Sequence, residues 1–177
     1  MKGLRKYISP FAPDQSGATA VFCELGGLVV ILDAGGCAGN VCGFDEPRWF
    51  DSKSAIFSAG LRDMDAILGR DDKLVEKIGK ACKKIDGNFV AVIGTPVPAV
   101  IGTDYTALRR MIEKKTGFVA VTVDTNGMEL YDDGVSKASL ELFRTFTGTD
   151  DSASRSEAAG TDLLELLGVL GATPMDI

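Results

Sequence analysis

The sequence predicts an α/β domain of three layers, with a mostly parallel sheet and helices on both faces. Three short runs, Leu28-Val-Val-Ile-Leu32, Phe89-Val-Ala-Val-Ile93 and Phe118-Val-Ala-Val-Thr-Val123, are apolar almost throughout. They lack the period-two alternation of a half-exposed strand, as expected where a sheet is covered on both sides. Longer stretches with helical periodicity separate them, and strand–helix alternation implies right-handed crossovers between parallel strands. The chain has 177 residues, 45% of them apolar and 25% charged, which suits one globular domain with a full core.

Taken in order, the first element is a helix over Ala18 to Leu25, with Ser16-Gly17 at its start and Gly26-Gly27 at its end. The first strand, Leu28 to Leu32, runs into Asp33-Ala-Gly-Gly36. A weaker strand is expected over Ala55 to Ala59. Asp63 and Asp65, before Gly69-Arg70, read as a solvated turn. Asp71 to Ile85 places Leu74, Ile78, Cys82 and Ile85 on one helical face. After the strand Val90–Ile93, Asp104 starts a helix over Tyr105 to Lys115, whose inward residues are Leu108, Met111 and Ile112. The strand Val119–Val123 follows, and then a helix from about Val135 to Phe146. This order is Rossmann-like, and such sheets bind ligands beyond the carboxyl ends of their strands.

The domain is expected to span residues 1–148. Thr147 to Thr161 is polar and rich in Ser, Gly and Asp, and Leu163 to Leu167 then opens a new apolar segment. Residues 149–177 therefore read as a linker and the start of a following domain, the chain being cut at a domain boundary.

Several function classes are excluded. The net charge of −6 opposes non-specific nucleic-acid binding, which depends on basic residues displacing phosphate counterions. Lys83-Lys84 and Lys114-Lys115 lie in helical patterns among acids and read as solvated faces. No secretory signal is expected, because Tyr7-Ile-Ser-Pro10 stands where its apolar core would be needed. No apolar run approaches the roughly 18 residues of a membrane span. Four cysteines do not form the dense framework of a small secreted protein, so a cytoplasmic location is expected. The chain has no histidine, which removes Ser-His-Asp and Cys-His nucleophile systems and His-based zinc sites.

Chemistry concentrates in Ala34-Gly-Gly-Cys-Ala-Gly-Asn-Val-Cys-Gly43, directly after the first strand. Gly35, Gly36 and Gly39 allow a ligand to approach the backbone closely, and a thiolate at Cys37 could bind a soft metal. The bland alternative is a tight glycine turn with two inert thiols. The loop fits neither the dinucleotide fingerprint nor a Walker A loop. Cys37 and Cys42 are five apart with no second pair, against a zinc ribbon. Cys23 and Cys82 fall on helical patterns and read as small core hydrophobes. Trp49, beside Arg48, reads as ordinary packing.

Over about residues 8 to 125, the order of motifs resembles the first domain of the nitrogenase component 1 family. That family includes the nitrogenase α and β subunits, their cofactor-scaffold relatives and the catalytic subunits of dark-operative protochlorophyllide reductase. Pro10-Phe-Ala-Pro13 precedes Gly17-Ala18, and Asp33-Ala-Gly-Gly-Cys-Ala38 is similar to the family's cysteine loop. Asp65 to Leu74 resembles its acidic-to-Lys-Leu segment. Val92 to Asp104 resembles its third strand and the Ile-Gly-Asp-Asp element, and Gly168 to Asp176 the opening of the second domain.

The departures carry as much weight. The resemblance implies three cysteine ligands per subunit for a bridging Fe–S cluster, and here only Cys37 falls on a matching position. The first position, near Phe11 to Asp14, has no cysteine, and the third is Pro96. One branch uses an aspartate ligand, which makes Asp14 the stand-in, and Cys42 is additional. The resemblance therefore implies an oxidoreductase domain that transfers electrons to an unassigned substrate, with an incomplete ligand set of Cys37, Cys42 and Asp14. A paired homologous subunit and an ATP-dependent Fe–S reductase are the implied partners. A cluster is expected in the full assembly and not in the isolated chain. Two alternatives stay open: a scaffold that kept the fold and lost the cluster, or a thiol redox protein using Cys37 and Cys42.

Overall fold

The computed structural model describes residues 12–46, 51–85 and 87–147. Four strands, β1 (Leu28–Ile31), β2 (Ala55–Ser58), β3 (Phe89–Ile93) and β4 (Val119–Val123), form one sheet in the order β2-β1-β3-β4. Every pairing is parallel; Leu28 faces Val90 and Ile31 faces Ile93, while Phe89 faces Val119. The two central strands, β1 and β3, are buried at every position, which is why their sequences show no alternation. Strand β2 lies at an edge with Phe57 and Ser58 exposed, and its signal in the sequence is correspondingly weak.

Successive residues of each strand face opposite layers. Val30, Val92 and Ala120 meet Leu74, Val75 and Ile78 of α4 (Asp71–Cys82) and Leu108 and Ile112 of α6 (Tyr105–Thr116). Val29, Ala91, Ile93 and Val121 meet Ala18 and Phe22 of α1 (Asp14–Phe22) and Ala138 of α7 (Tyr131–Thr147). These are the three layers expected.

Some boundaries differ from the sequence expectation. Helix α1 starts at Asp14 rather than Ala18, since Pro13 is extended at its N-cap, and it ends at Phe22. Helix α7 begins at Tyr131, a turn early, where Asp133 accepts from the Leu130 amide. Asp63 and Asp65 do not lie in a solvated turn. They open the short helix α3 (Asp63–Leu68), where Asp65 accepts from the Arg62 amide and Gly69, at φ 59°, ends the helix. Two short helices were not legible: α2 (Gly36–Asn40), which passes into a π-helical turn over Val41–Asp45, and α5 (Pro96–Ile101). Pro96 suits the first helical position of α5 because its missing N–H costs nothing there.

Among the described residues no helix is long and apolar enough to cross a membrane. Phe11, Arg48, Trp49 and the whole of 149–177 lie outside the described residues, so the second domain boundary stays an expectation.

Candidate functional site at the carboxyl edge

The chain leaves β1 towards β2 on one side, and leaves β3 towards β4 on the other. At such a divergence a crevice opens beyond the strand ends. Four segments meet along this edge: the Cys37 loop, the Gly94–Pro96 turn, the loop after β4 and the first turn of α1.

Asp33 organises the first of them. Its carboxylate is buried, with Oδ2 accepting from the Ala38 amide at 2.7 Å and Oδ1 from the Ser58 hydroxyl at 2.6 Å. One side chain thus ties the start of α2 to the end of β2. Gly35 adopts φ 118°, a conformation costly for any other residue, and turns the chain into α2. Cys37 sits in the first turn of α2, half-buried against Ile31, Ala38 and Val41. A β-carbon placed on Gly35, Gly36, Gly39 or Gly43 would meet nothing within 4 Å, so this side of the loop is open.

Cys42 follows in the π-helical turn, which the Glu46 amide closes onto the Val41 carbonyl at 2.8 Å. Burial, and then the negative charge of Asp33, push the Cys42 thiol above its ordinary pKa. It is held as a thiol, not poised as a thiolate.

Two threonines bind the edge across the strands. Thr95 donates to the Leu32 carbonyl at 2.6 Å, and Thr125 donates to the Gly94 carbonyl at 2.7 Å, both from fully buried positions. They fix the β3 exit, and so Pro96, to the same edge of the sheet as the Cys37 loop. Neither was singled out in the sequence; the available signal was a hydroxyl just past the end of an apolar run. The Tyr105 side chain packs against Gly94, and burial, then Asp124 and Asp14, raise its phenol above the usual tyrosine range.

Asp14 is brought to this edge as well, but its carboxylate is engaged. Oδ1 accepts from the amides of Gln15 at 2.9 Å and Gly127 at 2.7 Å, and Oδ2 from the amide of Asn126 at 2.9 Å. The group is wholly buried. A β-carbon on Gly127 would lie 2.7 Å from Pro96 Cγ and 3.0 Å from Gln15 Oε1, so the β4 loop is pressed against both segments. On the other side of α1, the Ser16 hydroxyl donates to Asp45 at 2.7 Å.

The donor chemistry does not fit an Fe–S cluster held by this chain alone. Such clusters take four ligands, mainly thiolates. Among the described residues no group of three or more Cys, Asp or Glu could hold a metal. Cys37 and Cys42 are the two thiols of this edge, and Asp14 would have to give up its backbone amides to join them.

A family model described as nitrogenase component 1 type oxidoreductase matches residues 14–175. Nitrogenase Cp1 at pH 6.5 is similar in structure with a TM-score of 0.63 and 17% identity, over 77% of this chain and 28% of that one. Nitrogenase Cp1 at pH 5 gives a TM-score of 0.59 and 17% identity, over 78% of this chain and 29% of that one. The chain spans less than a third of the length of those structures, and at this identity the likeness is one of fold. No curated protein matches the sequence. The family match takes in nearly all of the described residues and agrees with the parallel sheet and its loops: the chain belongs to the nitrogenase component 1 type oxidoreductase family.

Proposed function

We propose that the chain is an electron-transfer domain of a multisubunit oxidoreductase, working in the cytoplasm with a paired homologous subunit and an ATP-dependent Fe–S reductase. The observation that carries this reading is the placement of Cys37. It sits half-buried on an open glycine loop, at the carboxyl edge where the sheet topology diverges. Cys37 would be one ligand to a metal group shared between chains, with Cys42 the second thiol in reach of the same loop. Gly35, Gly36 and Gly39 would leave the backbone open to that group. Because this chain's donors do not complete a cluster, the remaining ligands would come from the partner.

The test is iron content after anaerobic co-expression with the paired subunit, for the native chain and for Cys37→Ser. Iron that is present in the native assembly and lost in Cys37→Ser supports the reading. Iron unchanged in Cys37→Ser overturns the role of Cys37.

A second reading has its own support. The full engagement of Asp14 by three backbone amides favours a scaffold that kept the fold without a cluster. An assembly without iron that still binds its paired subunit would favour it. A third, a Cys37–Cys42 redox pair, would show as a two-thiol loss on mild oxidation of the isolated chain.

A further inference from the structure

The two side edges of the sheet are finished differently. At β4 the outward amide of Ala120 donates to Glu113 Oε1 at 3.2 Å, and Arg109 Nε holds that carboxylate at 3.2 Å. A side chain thus stands where a further strand would pair. At β2 the Ala55 and Ala59 amides donate to the carbonyls of Gly27 and Ile31, both at 2.9 Å. The alternate residues, Ile56 and Ser58, therefore turn their amides and carbonyls away from β1. No hydrogen bond among the described residues reaches those outward groups. Beside them lies an apolar groove of about 300 Å³, walled by Phe57 of β2 and by Leu74, Ile78 and Ala81 of α4. Phe57 is 42% exposed there. Open main-chain groups next to such a groove suit an added strand, which pairs with the first and sinks alternate side chains into the second.

The path of the chain identifies the strand. Between β1 and β2 the chain crosses over one face of the sheet, where Ala38 and Val41 pack on Ile31. Helices α1 and α7 lie on that same face, through Ala18, Phe22 and Ala138 against Val29 and its neighbours. Right-handed crossovers over one face all step in one direction, here from β1 towards β2. A strand that follows α7 in this sheet must step the same way. Strands β3 and β1 are already paired on both sides, so the first vacancy is beyond β2. The same rule sends any strand ahead of α1 to the β4 side.

The distances allow it. Phe146, near the end of α7, meets Phe89, the first residue of β3, edge-on with ring centroids 6.4 Å apart. The chain thus leaves α7 at the amino ends of the strands, where a parallel neighbour of β2 would begin. Three strand spacings, about 15 Å, lead from β3 to the vacancy. Residues 148–162 can reach roughly 50 Å when extended. They lead to Leu163-Leu-Glu-Leu-Leu167. In an extended chain Leu164 and Leu166 share a face and Glu165 takes the other, so only the first face can enter an apolar groove.

We propose that Leu163–Leu167 adds to the sheet as a fifth strand, parallel to β2, with Leu164 and Leu166 in the groove. The first domain then closes at Leu167 rather than at residue 148, and a following domain opens at Gly168. The proposal concerns the chain's own sheet and depends on neither a metal nor a paired subunit.

The test is amide hydrogen exchange on the full chain, read residue by residue. In the native chain the Ile56 and Ser58 amides should exchange slowly, and so should those of residues 163–167. Leu164→Ser combined with Leu166→Ser should speed Ile56 and Ser58 at least tenfold. Val92 of β3 should stay protected in that variant, showing that the sheet is still folded. Leu140→Ser, at an exposed position of α7, should change neither. Free exchange of Ile56 and Ser58, or of 163–167, in the native chain would overturn the proposal without recourse to any variant. Protection that survives the double substitution would assign the edge to another segment. Protection that falls on dilution, with a dimer seen in sedimentation, would make a second copy the occupant.

Discussion

Gly134 of α7 lies against the backbone of Asp14 in α1: a β-carbon built on Gly134 would stand 2.8 Å from the Asp14 Cα, with the carbonyl oxygen closer still. Gly17 makes the reciprocal approach, its β-carbon falling 2.9 Å from the Tyr131 carbonyl carbon. The two helices cross at contact distance because neither has a side chain there. This crossing holds the first turn of α1, and hence Asp14, at the carboxyl edge.

Alanine at either position separates two effects of opposite sign. Helix propensity alone favours Gly→Ala by about 1 kcal/mol. The collision is with backbone, which cannot rotate away, and overpacking of this kind costs about 1–3 kcal/mol or more. The collision should win. Gly134→Ala and Gly17→Ala are each expected to lower the thermal midpoint by several degrees. A rise in midpoint would show that the helices do not cross so closely.

Asp14 should matter more to stability than its place in the sequence, ahead of the expected helix, suggests. Asp14→Ala would leave the amides of Asn126 and Gly127 without their acceptor, each a half-buried donor whose loss costs at most about 1–3 kcal/mol, the figure for full burial. Asp14→Asn keeps one acceptor oxygen and should fall between Ala and the native residue. Chemical denaturation would rank the three. Equal midpoints for all of them would refute the clasp between α1 and the β4 loop.

The contrast between Asp14 and the strands shows how much of this site the sequence carried. The buried runs of β1 and β3 were plain, because full burial on both faces imposes an apolar pattern that needs no partner to be recognised. The position of the Cys37 loop followed from the strand that precedes it. Asp14 and Asp33 look like any loop carboxylates in the sequence. Their roles come from amides 112 and 113 residues away for Asp14, and from a hydroxyl 25 residues away for Asp33. Helices α2, α3 and α5 were missed or read as turns for a related reason. Five or six residues are too few for periodicity to register, and caps or tertiary contacts hold them instead.

Asp33 controls the order of the cysteine loop, which gives a third prediction. Asp33→Ala would release both the Ala38 amide and the Ser58 hydroxyl. Residues 34–46 should then exchange their amide hydrogens faster, and Cys37 should alkylate several-fold faster than in the native chain. Thr95→Val is the companion test, since it breaks the bond to Leu32 without touching the loop directly. It should loosen the β1–β3 exit and leave the Ala38 amide protected. Unchanged exchange over 34–46 in Asp33→Ala would remove the aspartate from this role.

The last prediction concerns the two thiols of the loop and follows from electrostatics. Burial and Asp33 both disfavour a negative charge on Cys42, so its pKa lies above that of a free thiol. Alkylation proceeds through the thiolate, so below that pKa the rate tracks the thiolate fraction. In the native chain Cys42 should therefore alkylate more slowly than a cysteine in an unstructured peptide at pH 8, and its rate should still be climbing where the peptide's has levelled. The sign for stability is linked. The unfolded chain gives up the Cys42 proton at a lower pH than the folded one does. The thiol's contribution is thus intact below the unfolded pKa and is lost as pH rises through the folded pKa. Cys42→Ser removes a group that titrates there, so this variant should lose less stability than the native chain between neutral and strongly alkaline pH. Mass spectrometry of the Cys42 peptide across a pH series reads the first effect, and denaturation midpoints across the same series read the second. A Cys42 that reacts faster than the free peptide at pH 8 would mean that the loop activates this thiol, and would favour the Cys37–Cys42 redox pair over a shared metal site.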